Sequence, residues 1–132
     1  MKDLGKKVFG FSKIILNVKR YFGVNRMKVD TIFDSWNELK KDLHTNKQRI
    51  HFKEREIWFI SIGQNIATET YDKGEQFLRA VIIFRKIGKY NFLRIPLTPR
   101  IKSNQYRLTI KFQNRINDAL LNQIRVFDSK RL

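Results

Sequence analysis

An arginine at position 79, a threonine at position 98 and a polar cluster around Gln123 and Arg125 each stand at the edge of an apolar stretch. Arg79 precedes Ala80-Val81-Ile82-Ile83-Phe84, and Thr98 closes Ile95-Pro96-Leu97. Asn122, Gln123, Arg125 and Asp128 are interleaved with Leu121, Ile124, Val126 and Phe127. Gathered at the edges of successive strands, such groups form a set that handles phosphate without a metal. A guanidinium suits that task because its planar fork of donors matches phosphate oxygens better than a lysine ammonium does.

The elements that must position these groups begin at residue 56. Residues 56–62, 77–87, 90–97 and 106–112 are rich in branched and aromatic side chains and are bounded by Gly, Asn, Pro or Ser, which predicts four strands. Gly88-Lys89 between the second and third reads as a short hairpin turn, so that pair is antiparallel. A fifth short strand is predicted at 119–125, followed by a helix over 127–132 capped by Asp128. Short antiparallel strands at this spacing indicate a small barrel, and an SH3-like barrel over residues 55–126 is the expected architecture. Residues 63–76 join the first two strands as a loop with two glycines and little apolar content, a length that is often functional inside a compact domain.

Ahead of the strands, Ile32, Trp36, Leu39 and Leu43 recur at helical spacing, and Thr31 with Asp34 has the spacing of a capping box. A helix over 30–44 is expected, packed on the domain through Trp36. His44 and His51 are seven apart, but the sequence between them is loop-like, and no metal site is assigned. Residues 1–29 read as a basic extension of a domain spanning 30–132. Within it Val8, Phe11, Ile15, Val18 and Phe22 make an apolar seam beside Lys6, Lys13 and Arg20, interrupted by Gly5, Gly10 and Gly23. A helix of this kind fits a membrane surface or a partner helix; membrane contact through residues 1–26 is the least expected reading.

Composition limits the partners. A chain of 132 residues with 42% apolar residues and 11 phenylalanines has material for one folded domain. Its formal charge of +16 concentrates polyanions around it, whether nucleic acid, acidic protein or anionic membrane. Zero cysteines exclude disulfides and thiolate metal sites and suit a reducing cytoplasm.

From about residue 54 to Leu132 the chain resembles the PemK/MazF family of type II toxin-antitoxin toxins. The resemblance rests on Glu56-Ile57-Trp58-Phe59-Ile60, Gly74 ahead of Phe77-Leu78-Arg79, Ile95-Pro96-Leu97-Thr98, and Leu121-Asn122-Gln123-Ile124-Arg125 with Asp128 and Arg131-Leu132. Ala80 stands where the family usually has proline after the arginine, and the family's last helix is cut short at Leu132. The resemblance implies a mainly β (α+β) fold, a homodimer, and a cytoplasmic, metal-independent endoribonuclease without cofactor that causes growth arrest. Its substrate would be single-stranded messenger RNA, cleaved by attack of a 2′-hydroxyl on the adjacent phosphate, and an acidic antitoxin would block it. Arg79 is then the catalytic guanidinium and Thr98 the catalytic hydroxyl, stabilising charge on the phosphate oxygens.

Arg85, Lys86, Arg100, Lys102, Gln123 and Arg125 are the expected RNA contacts, with Glu69, Gly74 and Glu75 in the long loop beside the substrate. Tyr71, Phe77 and Tyr106 are candidates to stack on bases. The competing expectation is a noncatalytic binding protein on the same fold, either an RNA binder or a toxin that poisons DNA gyrase by contact.

Overall fold

The computed structural model describes residues 14–15, 29–72, 74 and 76–132. Helix α1 runs Val29–Thr45, two residues earlier than its predicted cap, so Thr31 lies inside the first turn. Its apolar stripe is anchored by Trp36, which is buried and tilts against Phe77 with ring centroids 5.3 Å apart. Gly63 lies directly beneath the indole, and the chain there has φ of +87°. A side chain at 63 would strike the Trp36 ring, so glycine is what lets the helix lie this close to the sheet.

The strands are β1 (Ile14–Ile15), β2 (Ile57–Ser61), β3 (Leu78–Ile87), β4 (Asn91–Thr98), β5 (Arg107–Phe112), β6 (Arg115–Leu120) and β7 (Arg125–Asp128). They form one mainly antiparallel sheet in the order β1-β2-β3-β4-β6-β5, with β7 also pairing β4. The path is open and does not close into a barrel among the described residues. Among the described residues only β1 runs parallel to its neighbour, pairing with β2 through Ile14 and Ile15. The apolar seam predicted as helical therefore has Ile15 in extended chain, while Val8, Phe11, Val18 and Phe22 lie outside the described residues.

Alternation along the strands buries both faces of the sheet. Trp58 and Ile60 of β2, Val81 and Ile83 of β3 and Phe92 of β4 join Phe52 in one cluster, closed by Phe127 and Leu132. The intervening Ile57, Ile82, Ile95 and Leu97 form the other, with Ile110 and Ala119. Each fully buried isoleucine such as Ile60 or Ile83 contributes about 2 kcal/mol.

The strand predicted over 119–125 is corrected by the structure. The segment is instead the end of β6, a 3-10 turn Leu121–Gln123, and the start of β7. Gln113 and Asn114 take φ of +48° and +57°, the two left-handed residues of a tight hairpin turn, and fold β6 back on β5. The predicted final helix is a single 3-10 turn, Ser129–Arg131, with Asp128 accepting from the Lys130 N–H as its cap.

Candidate functional site

Strand register brings Arg79 and Thr98 together. Val81 pairs with Pro96 and Ile82 with Ile95, and the same antiparallel register continued two residues sets Arg79 opposite Thr98. On their outer sides Arg79 pairs with Ile60, and Thr98 pairs with Asp118, which pairs in turn with Thr109. Directly opposed residues share a face. Arg79, Thr98, Asp118 and Thr109 thus form one polar row across three strand pairs.

Arg79 and Thr98 line one open cavity of about 710 Å³. Its other walls come from the long loop, through residues such as Thr70, Tyr71 and Asp72, and from Arg100, Arg107 and Gln123. Arg79 is three-quarters covered, its Nε finds no acceptor among the described residues, and its Nη2 stands 3.9 Å from Asp72 Oδ2. That separation is an ion pair beyond hydrogen-bond length, so Nη2 keeps donor capacity beside Asp72, while the buried Nε is closed off from the cavity. The Thr98 hydroxyl accepts from the Arg100 N–H at 3.3 Å and so shapes the turn through Pro99. Accepting leaves its own proton for a donor role.

The row continues into a fixed support. The buried Asp118 carboxylate receives the Lys102 N–H at 2.8 Å, the Thr109 hydroxyl at 2.8 Å and Arg107 Nη1 at 3.3 Å. Burial alone would raise the Asp118 pKa, but these three bonds outweigh it and hold the group below the usual aspartate value. Arg107 also donates to the Arg100 carbonyl at 2.8 Å, which ties the 99–102 turn to β5.

Gln123 and Arg125 fasten the long loop. Gln123 Oε1 accepts from the Thr70 N–H at 3.1 Å, and its Nε2 donates to the Thr68 carbonyl at 3.4 Å. Arg125 Nη2 meets Glu69 Oε1 at 2.6 Å, while the other Glu69 oxygen accepts from the Ile66 N–H. The Ile66 bond first and Arg125 second lower the Glu69 pKa, which makes it a poor proton acceptor at neutral pH. Among the described residues Asp72 is the carboxylate paired with Arg79, and its Oδ1 is fixed by the Gly74 N–H at 3.0 Å. Sequence reasoning misses Asp72, whose one local signal is the Asp-x-Gly turn at 72–74.

Other predicted contacts lie elsewhere. Arg85 and Lys86 are exposed and sit six and seven residues along β3 from Arg79, about 20 Å away at the usual strand rise. A register shift between Ile83 and Arg85 also bends the strand between them. Lys102 is exposed and does not line the cavity; its backbone N–H is bound to Asp118. Gly74 is exposed, and Glu75 lies outside the described residues. Phe77 is 3% exposed and packed on Trp36, so it belongs to the core and cannot stack on a base. Tyr106 is exposed. Among the described residues no three His, Cys, Asp or Glu side chains are grouped as metal ligands.

In the sequence Arg94 is one of several basic strand residues that could follow a phosphate backbone, but its burial takes it out of reach of one. It is fully buried on β4, opposite Arg125, and none of its three guanidinium nitrogens finds an acceptor among the described residues. Its guanidinium lies 4.6 Å from the centre of the Phe127 ring. Burial first, and then the neighbouring Arg125, Arg131 and Arg79 charges, lower its pKa to about 10. No protein-family model matches the chain, and no curated protein matches it.

Proposed function

We propose that this protein is a metal-independent endoribonuclease acting on single-stranded RNA, on a scaffold of the PemK/MazF type. The observation that supports this reading is the convergence of Arg79 and Thr98, on neighbouring strands, on one open cavity. A phosphodiester seated there places a nonbridging oxygen against the Arg79 fork and the Thr98 hydroxyl. Both donors are held in place before the reaction, so charge growing on the phosphate is stabilised without reorganisation. The ribose 2′-oxygen attacks phosphorus, the bond to the 5′-oxygen breaks, and the products carry a 2′,3′-cyclic phosphate and a 5′-hydroxyl. The 2′-hydroxyl proton passes to solvent water, and the leaving oxygen takes its proton from water. In a cell, an acidic antitoxin would cover this cavity.

The test compares Arg79→Ala with Arg85→Ala, which removes the same charge from the same strand outside the cavity. A fall in cleavage of at least about 100-fold in the first and near wild-type cleavage in the second is expected. Equal falls would mean that only overall charge matters. A folded wild type that binds RNA and leaves it intact would point to the noncatalytic binder.

A further inference from the structure

A second cavity, of about 310 Å³, opens where the end of α1 meets the end of β7. Lys40, His44, Arg49, Lys130 and Arg131 line it, with Asp128 as its one acid. Counting permanent charges, that is four cations against one carboxylate. The cavity holding Arg79 has Arg79, Arg100 and Arg107 against Glu69 and Asp72. The stronger anion field therefore lies in the second cavity and not in the first.

The cations come from three separate segments and are held in place. Arg49, on the connector after α1, donates to Asp128 Oδ1 at 2.9 Å and to Ser129 Oγ at 3.1 Å. Lys130 donates to the His44 carbonyl at the end of α1. Arg131 donates to the Ser61 carbonyl at 2.9 Å and covers the Phe127 ring at 4.1 Å. Lys40 approaches from the helix, 5.9 Å from the Trp36 ring centre. Side chains converging from several directions suit a tetrahedral phosphate, and their fixed positions lower the ordering cost of binding one.

Two features select a nucleic acid as the source of that phosphate. The Arg49 guanidinium lies 3.9 Å from the centre of the Tyr90 ring, and Tyr90 is 40% exposed, so a stacked cation and aromatic pair stands at the rim of the cavity. Unpaired bases stack on such surfaces. In addition, β7 links the two cavities: Arg125 at its start holds Glu69 of the first, and Asp128 at its end lines the second. Three residues of strand separate them by about 10 Å.

We propose that the cavity between α1 and β7 is a phosphate-binding exosite that holds single-stranded RNA beyond the scissile bond, with the Arg49–Tyr90 stack receiving a base. It deepens the ribonuclease reading and rests on it for the identity of the strand. The test uses the full chain and a mixed-sequence 2′-O-methyl RNA oligonucleotide, which lacks the attacking hydroxyl and stays intact. Affinity is measured from low to high salt for the wild type, for Lys40→Ala/Lys130→Ala, and for Lys111→Ala/Arg115→Ala, which removes two exposed charges outside both cavities.

Removing one cation that neutralises a phosphate flattens the salt dependence of log K by about 0.7 for single strands. The exosite variant is expected to flatten it by about 1.4 and to bind roughly tenfold or more weakly at low salt, while the charge-matched variant keeps the wild-type slope. Identical behaviour of the two double variants overturns the exosite. Tighter, competitive binding of polyglutamate at the same residues overturns RNA as its ligand. Binding is read without catalysis: an exosite confirmed in a protein that cuts no RNA would refute the ribonuclease alone, and normal cleavage with indistinguishable double variants would refute the exosite alone.

Discussion

Replacing Arg94 with methionine is expected to stabilise this protein. A fully buried guanidinium that finds no acceptor among the described residues leaves water without recovering its hydrogen bonds. Burial lowers its pKa to about 10 in the folded state, which corresponds to roughly 3 kcal/mol of destabilisation while the group is charged. The contact with the Phe127 ring offsets about 1 kcal/mol of that. Methionine fills a similar unbranched volume and adapts to irregular surroundings, so the net gain is about 2 kcal/mol. For 132 residues unfolding with about 2.1 cal/mol/K each, the midpoint rises by about 7 °C. The sign is fixed by linkage: because the folded pKa is the lower one, the penalty is fully present below about pH 10 and is relieved as pH rises above it toward the ordinary arginine value. Thermal unfolding followed by circular dichroism at pH 7.5 makes the comparison. An unchanged or lowered midpoint would show that the guanidinium is compensated in the folded chain and would refute the reasoning.

Gly63→Ala places a Cβ 2.1 Å from the Trp36 ring at a φ of +87°, so a destabilisation of about 3 kcal/mol or more is expected from urea unfolding, and an unshifted midpoint would contradict the packing of α1. Asp118→Asn weakens the bonds to Lys102, Thr109 and Arg107, at a cost of about 2 kcal/mol at neutral pH. The folded Asp118 pKa is depressed, so its contribution is present above the unfolded value of about 3.9 and is lost as pH falls through the lower folded value. The stability gap between wild type and Asp118→Asn should therefore narrow in acid, and a gap independent of pH would count against the carboxylate network.

Long patterns are legible in the sequence. The period of Ile32, Trp36, Leu39 and Leu43 predicts α1, and the branched runs locate β2, β3, β4 and β5 to within a residue or two. Arg79 and Thr98 stand out because one opens and the other closes such a run, and the β3–β4 register then explains why they meet. The 113–128 stretch defeats pattern reading because its hairpin turn uses Gln113-Asn114 rather than a glycine, a weak signal for left-handed residues. Arg85 and Lys86 look equivalent to the other cations in the sequence because charge carries no strand position. Asp72, the burial of Arg94 and the second cavity depend on contacts between segments distant in sequence, which no local pattern encodes.

The most direct measurement incubates the purified protein with a long single-stranded RNA in excess EDTA and analyses the fragment ends beside Arg79→Ala. Discrete fragments from the wild type alone, ending in 2′,3′-cyclic phosphate and 5′-hydroxyl groups, are the expected result. Intact RNA with a folded wild type, or the same fragments from Arg79→Ala, would contradict the assignment of the cavity between β3 and β4.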